Sequence, residues 1–214
     1  CLHKLIQVYT QDNQTIVGTT VSGRDIPVSG IEESVGLYIN TLPLIIEWDN
    51  ENTVLQQVEY IHQQITDINS NSFADLAGLQ LDGKRLFHSL LVFENYPMPE
   101  PSGIISKDSL TPKLRYAVEK LDYPIGITAY EQEDKLVISL KSDREILDRE
   151  KANYNLGKIR LLLVELLADL DKKHSGISTL TQAEYQQIVI DWNRTDKEYP
   201  KDKTICQLFE EQVL

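Results

Sequence analysis

The 214-residue chain predicts an α/β fold. Segments rich in β-branched and aromatic residues are interspersed with segments of helical period, so strands and helices share one domain. The clearest helical segment, residues 52–69, repeats Val54, Val58, Ile61, Ile65 and Ile68 at intervals of three and four, which makes one apolar stripe. No apolar run approaches the roughly 18–20 residues needed to span a bilayer, so these side chains belong in a core. Strand order is not readable from the pattern.

The elements follow in order. Residues 1–10 read as the end of a helix with Leu2, Leu5, Ile6 and Tyr9 on one face. Residues 11–14 form a polar turn, and "TIVGTTV", residues 15–21, reads as a strand. "SGRDIPVSG", residues 22–30, is a Gly-, Ser- and Pro-containing loop, and "IEES" after it fits one helical turn. "VGLYINTLPLIIEW", residues 35–48, begins and ends with β-formers. In its middle stand Asn40 and Thr41, with Pro43 close behind. Proline cannot donate to a ladder, so Pro43 belongs at an edge, a bulge or a strand end. The Asn-Thr pair has two readings: a strand end with a turn, or a polar lining for something that passes by.

Helix 52–69 opens with Thr53 and, three residues later, Gln56, which fits a capping box. His62 stands at the edge of its stripe, as a surface or partly buried structural side chain. After a loop at residues 70–72 comes a short amphipathic piece, residues 73–79. "LFHSLLVF", residues 86–93, reads as a strand buried on both faces for most of its length. Residues 96–112 contain Pro97, Pro99, Pro101, Gly103 and Pro112, a long irregular excursion of the kind that is often functional. "PIGITAY-EQED-KLVISLK" reads as a hairpin. Residues 148–170 form a long helix, apolar on most sides in its second half and interrupted by Arg160, Glu165 and Asp169, which makes it a core helix. Thr181 and Glu184 form a second capping box, with Leu180 placed to staple against Tyr185. "RTDKEYPKDK" is a charged linker, and Thr204 with Gln207 opens a last helix, "ICQLFEEQV". The chain starts without Met inside a helix and ends in one, as expected of a piece of something longer.

The totals narrow the function classes. Lys and Arg number 21 against 33 Asp and Glu, a net charge of −12, which argues against the basic face that nucleic acid needs. Hydrophobic residues at 41% and charged residues at 25% fit a globular protein, and a cytoplasmic location is expected. Cys1 and Cys206 alone indicate no disulfide framework. His3, His62, His88 and His174 are scattered without ligand spacing, so no metal site is expected. There is no G-x-S-x-G elbow, Walker loop or dinucleotide glycine motif. "SGRD" joins a flexible turn to a cation and could grip an anion. Residue by residue, nothing nominates a catalytic group.

Several segments in order say more. "GTTVSGRDIPVSGIEESVGLYINTLPL" resembles the C-terminal lobe of a nonribosomal peptide synthetase condensation domain, where a Ser-Gly-Arg loop precedes a strand carrying Asn-Thr-Leu-Pro. "LFHSLLVFENYP", residues 86–97, looks like a later motif of that family, and "YPIGITAY", from Tyr123, like its next strand. "LTQAEYQQIVIDWNRTDKEYPKDKTICQLFEEQV" looks like the junction to a following adenylation domain. The resemblance covers essentially the whole chain.

What the resemblance implies is a chloramphenicol acetyltransferase-like sandwich lobe, a mixed sheet packed with helices. Residues 1–179 would be the C-terminal lobe, residues 180–203 the linker and residues 204–214 the start of an adenylation domain. The full enzyme would form an amide between two building blocks held as thioesters on the phosphopantetheine arms of carrier proteins, with no cofactor bound to the lobe itself. Its partners would be the N-terminal condensation lobe, peptidyl or acyl carrier proteins and the downstream adenylation domain, not nucleic acid or membrane. Substrate-tunnel candidates are Ser22, Gly23 and Arg24 in a crossover loop, Asn40 and Thr41, and Phe93 and Asn95, with a latch strand expected after Asn95. Two departures limit the carry-over. The family usually has Arg two residues after the Pro of Asn-Thr-Leu-Pro, and Ile45 stands there. The His-His-x-x-x-Asp-Gly signature of the N-terminal lobe is absent, so no catalytic residue is expected here and the chain alone should be inert. Heterocyclisation and epimerisation domains of the same fold, and a non-catalytic carrier-binding scaffold, are the alternative readings.

Overall fold

A mixed five-stranded sheet organises the first part of the chain. The computed structural model describes residues 1–24, 26–31, 33–80, 84–94, 122–198 and 200–213. These fall into two units, Cys1–Thr179 and Leu180–Leu214.

In the first unit, helix α1 (Leu2–Thr10) leads into β1 (Gln14–Val21), which pairs antiparallel with β2 (Asn40–Glu47). Helix α2 (Val54–Ser70) and the short α3 (Leu76–Leu79) follow, then β3 (Ser89–Glu94), β4 (Ile125–Gln132), β5 (Lys135–Ser142) and α4 (Arg149–Ala168). The sheet order is β2-β1-β3-β4-β5. β3 runs parallel to both β1 and β4, and the two outer pairs are antiparallel.

Strand alternation puts the core on one face of the sheet. Val17 and Ile127 pack with Leu2 and Leu5 of α1, Val54 of α2, and Ile159 and Leu162 of α4. Leu44 pairs with Val17 across the ladder and so shares its face. There Leu44, Ile46 and Trp48 pack under Tyr60, Ile61 and Ile68 of α2. Helices α1, α2 and α4 therefore cover the same side. The other side is half-exposed, apart from Leu90 and Phe87, whose ring lies over Gly18. A Cβ at Gly18 would come within 2.1 Å of that ring.

Several sequence expectations change in detail. The strand expected over residues 35–48 starts only at Asn40, because β1 ends opposite it at Val21. Val35 and Leu37 are 102% and 89% exposed in the preceding loop. Pro43 sits in an outer strand, where its missing N–H is tolerated. The strand expected from Leu86 starts at Ser89, since Phe87 leaves the ladder to cover Gly18. It is buried only at Ser89 and Leu90, and Phe93 is 61% exposed. On α2 the stripe is incomplete: Val58 and Ile65 are exposed. Gln57 takes the core side instead, because its Nε2 donates to the Glu47 carbonyl and its Oε1 accepts from Asn52. Helix α4 buries Lys158, Ile159 and Leu162, whereas Val164 and Leu167 are exposed, so it is apolar on more sides than it packs. The excursion at residues 96–112 lies outside the described residues.

In the second unit Thr181 and Glu184 form the expected reciprocal cap. The helix they open is α5 (Gln182–Tyr185), which widens at once into a π-helical stretch, Gln186–Asp191. Asn193 closes it by donating to the carbonyls of Ile188 and Val189. Helix α6 (Ile205–Val213) starts where Thr204 and Gln207 cap each other.

Candidate functional site

The sequence-derived candidates meet at one end of the sheet. β1 and β3 are parallel, so their C-terminal ends coincide, and the antiparallel β2 begins there. Ser22, Gly23 and Arg24 leave β1, Asn40 and Thr41 open β2, and Phe93 closes β3. In open α/β sheets the C-terminal strand ends are where ligand crevices form. Asn95 lies outside the described residues.

The loop between Val21 and Asn40 is held by Arg24. Its Nη1 donates to the carbonyls of Ile31 (2.5 Å) and Ser34 (2.9 Å), and its Nη2 to that of Gly36 (3.5 Å). The guanidinium also lies over the Tyr38 ring, 4.5 Å from its centroid. Ser34 Oγ and the Tyr38 hydroxyl are 2.6 Å apart. Gly23 makes the crossing possible. Its φ is 68°, and a Cβ there would stand 1.9 Å from the Tyr38 carbonyl oxygen. The guanidinium that the sequence suggested for an anion is thus turned onto backbone carbonyls.

Asn40 and Thr41 point to opposite faces. Asn40 is on the helix side, where its Nδ2 donates to the carbonyls of Ser72 and Ala74, both at 2.8 Å. This ties the end of α2 to the start of β2. Thr41 is on the face that no helix among the described residues covers. There a row crosses the sheet: Thr41 opposite Thr20, Val92 opposite Thr128, and Thr128 opposite Ser139. Thr20 and Val92 stand two residues beyond the paired Gly18 and Leu90 and link the two halves of the row. Four of its five side chains carry hydroxyls, and all five are half-buried. Thr20, Thr128 and Ser139 were missed in the sequence, because single hydroxyls in strands are common and only the register aligns them.

A second constellation, also missed, lies at the other end of β1. Thr15 Oγ1 is 2.8 Å from His3 Nδ1 and accepts from the Trp48 indole N–H at 3.0 Å. Lys4 Nζ is 3.2 Å from His174 Nδ1, and His174 Nε2 is 2.8 Å from the Asp49 carbonyl. The His174 ring meets Trp48 edge-on. Burial lowers the pKa values of His3, to about 4, and of Lys4 and His174. The cluster has no Ser or Cys nucleophile. Among the described residues, no group of three His, Cys, Asp or Glu is placed to hold a metal ion. The arrangement joins α1, the sheet and the turn after α4.

A family model described as "Condensation domain" matches residues 1–189. The chain belongs to the condensation-domain family. It is 36% identical over 220 residues to N-(5-amino-5-carboxypentanoyl)-L-cysteinyl-D-valine synthase of Amycolatopsis lactamdurans, covering 99% of this chain and 6% of that one. To bacitracin synthase 3 of Bacillus licheniformis it is 32% identical over 228 residues, covering 99% and 4%. This condensation-family chain therefore spans only a small part of the curated relatives it matches. Among solved structures it resembles the first condensation domain of the calcium-dependent antibiotic synthetase in complex with a substrate analogue. That match has a TM-score of 0.66 at 15% identity and covers 84% of this chain and 40% of the other. A four-domain nonribosomal peptide synthetase bound to AMP and glycine matches with a TM-score of 0.67 at 16% identity, covering 85% and 15%. At such identities the likeness is one of fold, and it is the mixed sheet packed with helices that the sequence implies. No helix among the described residues is long and apolar enough to cross a membrane.

Proposed function

We propose that this chain is the C-terminal lobe of a nonribosomal peptide synthetase condensation domain and supplies one wall of the passage for carrier-borne thioesters. The row of Thr41, Thr20, Val92, Thr128 and Ser139 on the uncovered sheet face carries this reading. A phosphopantetheine arm is a flexible chain with amide groups, and hydroxyls at sheet spacing can donate to and accept from it. Ser22, Gly23, Arg24 and Phe93 shape the mouth of that wall, and Asn40 supports it from behind. In the complete domain the acceptor amine attacks the donor thioester carbonyl, a C–N bond forms, the C–S bond breaks and the thiol leaves. Holding both reactants on tethers supplies proximity, worth several kcal/mol of barrier (roughly 7–11 for well-oriented reactants). The histidine that handles the amine proton comes from the N-terminal lobe. Residues 180–203 then link this lobe to an adenylation domain that starts at residues 204–214.

The test is amide formation from two loaded carrier proteins. The 214-residue chain alone should give no product. The same chain joined to the segment that precedes it in its synthetase should give product, provided that segment carries His-His-x-x-x-Asp-Gly. Turnover by the chain alone, or none by the joined protein with an intact motif, overturns the reading.

A further inference from the structure

We propose that Arg24 is a positioning residue: it holds the loop between Val21 and Asn40 in one preformed shape, so that the mouth of the open sheet face is built before any substrate arrives. The described residues between 22 and 39 form no strand or helix. Connections of that length are uncommon in compact domains, and an order for them has to come from somewhere. Here it comes from a single planar cation. The carbonyls of Ile31, Ser34 and Gly36, all on the return limb, converge on one guanidinium. The fork of donors matches such a fan of acceptors, which an ammonium on a flexible stem does not. Stacking on Tyr38 and the Ser34–Tyr38 contact fix the guanidinium from the other side. Arg24 itself is one residue from Gly23, whose positive φ brings the outgoing limb against the Tyr38 carbonyl. Both limbs are thus closed at one point, two residues before β2 begins.

Inside the loop Val28 N donates to Ile26 O at 2.8 Å, and Ile31 N to Val28 O and Ser34 N to Ile31 O at 3.3 Å each. None of these bonds joins the outgoing limb at residue 24 to the return limb, which the guanidinium does. Val35 and Leu37 stay fully exposed in this arrangement.

The experiment has two arms. In the chain itself, amide hydrogen exchange is compared between wild type, Arg24→Met and Arg24→Lys. Arg24→Met keeps the apolar stem and loses the donors. Exchange at Ile31 and Ser34 should be about tenfold faster in Arg24→Met, with Val17 and Leu44 in the sheet unchanged. Arg24→Lys should recover only part of the protection. Should Arg24→Met prove unstable, millimolar methylguanidine added to Arg24→Ala should restore loop protection while urea at equal concentration does not. Unchanged loop exchange, or equal loss throughout the sheet, overturns the proposal.

The second arm uses the full synthetase and rests on the function proposed above. Arg24→Met should raise KM for carrier-borne substrate about tenfold, with partial recovery in Arg24→Lys. Mere loss of folded enzyme lowers the rate without moving KM, and that result would overturn the positioning role. A wild-type synthetase that makes no amide would sink the proposed function, while the exchange arm would still decide the role of Arg24.

Discussion

Proton placement in the buried cluster around Trp48 follows from donor and acceptor counting. The indole N–H can only donate, so Thr15 Oγ1 accepts it, and the same oxygen shares a hydrogen bond with His3 Nδ1. Lys4 can only donate, so His174 Nδ1 accepts and its Nε2–H goes to the Asp49 carbonyl. His174 is therefore neutral in the folded chain, and burial keeps His3 neutral at pH 7. His3 Nε2 has no hydrogen-bond partner among the described residues, and burial disfavours its charged form. The folded pKa of His3, about 4, lies below its ordinary 6.5. Below pH 6.5 the unfolded chain takes up a proton that the folded chain refuses. The stability is complete above that value and falls as pH drops toward 4. Urea unfolding should show a loss of about 2 kcal/mol between pH 7 and pH 5 through His3. His3→Asn, whose amide oxygen can accept from Thr15, should flatten this dependence. An identical pH slope in the variant would show that the titration lies elsewhere. None of this was legible in the sequence, where His3 and His174 are separated by almost the whole chain. The Asn40–Thr41 pair was legible as unusual. Only the alternation of side chains in β2 separates its two roles, with Asn40 tied to α2 and Thr41 on the open face.

Elements were more legible than residues wherever a local rule decides them. Thr53 with Gln56, Thr181 with Glu184 and Thr204 with Gln207 each form the reciprocal cap that their spacing announces. The β4–β5 hairpin was also readable, but its turn is tighter than the four residues "EQED" suggest. Glu133 and Asp134 alone make it, with φ values of 50° and 59°. Two successive left-handed residues define a type I′ turn, which Asn-Gly suits and Glu-Asp does not. Glu133→Asn with Asp134→Gly should therefore stabilise the first unit by roughly 1 kcal/mol, read as a shift of the urea midpoint at constant slope. A lower midpoint would mean that the Glu and Asp side chains contribute more than the backbone strain costs. Local rules failed at Val35, Leu37 and Val58, where apolar residues in a strand or helix pattern turned out exposed. Periodicity reports that a face is apolar and is silent on whether this chain or another covers it.

The one-sided cover of the sheet sets the behaviour of the molecule as a whole. Among the described residues, all helices that pack on the sheet use one face, and the mixed strand order, unreadable in the sequence, brings residues from five strands into one hydroxyl row on the other. The row sits on a scaffold whose core is elsewhere, so its chemistry can be changed without touching packing. Thr20→Val with Thr128→Val removes two hydroxyls at nearly constant shape on a half-exposed face. Such surface changes normally alter stability by no more than about 0.5 kcal/mol, so the thermal midpoint should hardly move. Each hydrogen bond lost to a tethered substrate is worth about 0.5–1.5 kcal/mol. On the function proposed above, the double variant should therefore raise KM of the full synthetase for carrier-borne substrates by roughly 5-fold to 150-fold. Arg24 keeps its loop in the double variant, so hydrogen exchange at Ser34 should match wild type. Unchanged KM values with an intact fold would show that the open face is ordinary solvated sheet and that the passage runs along another surface.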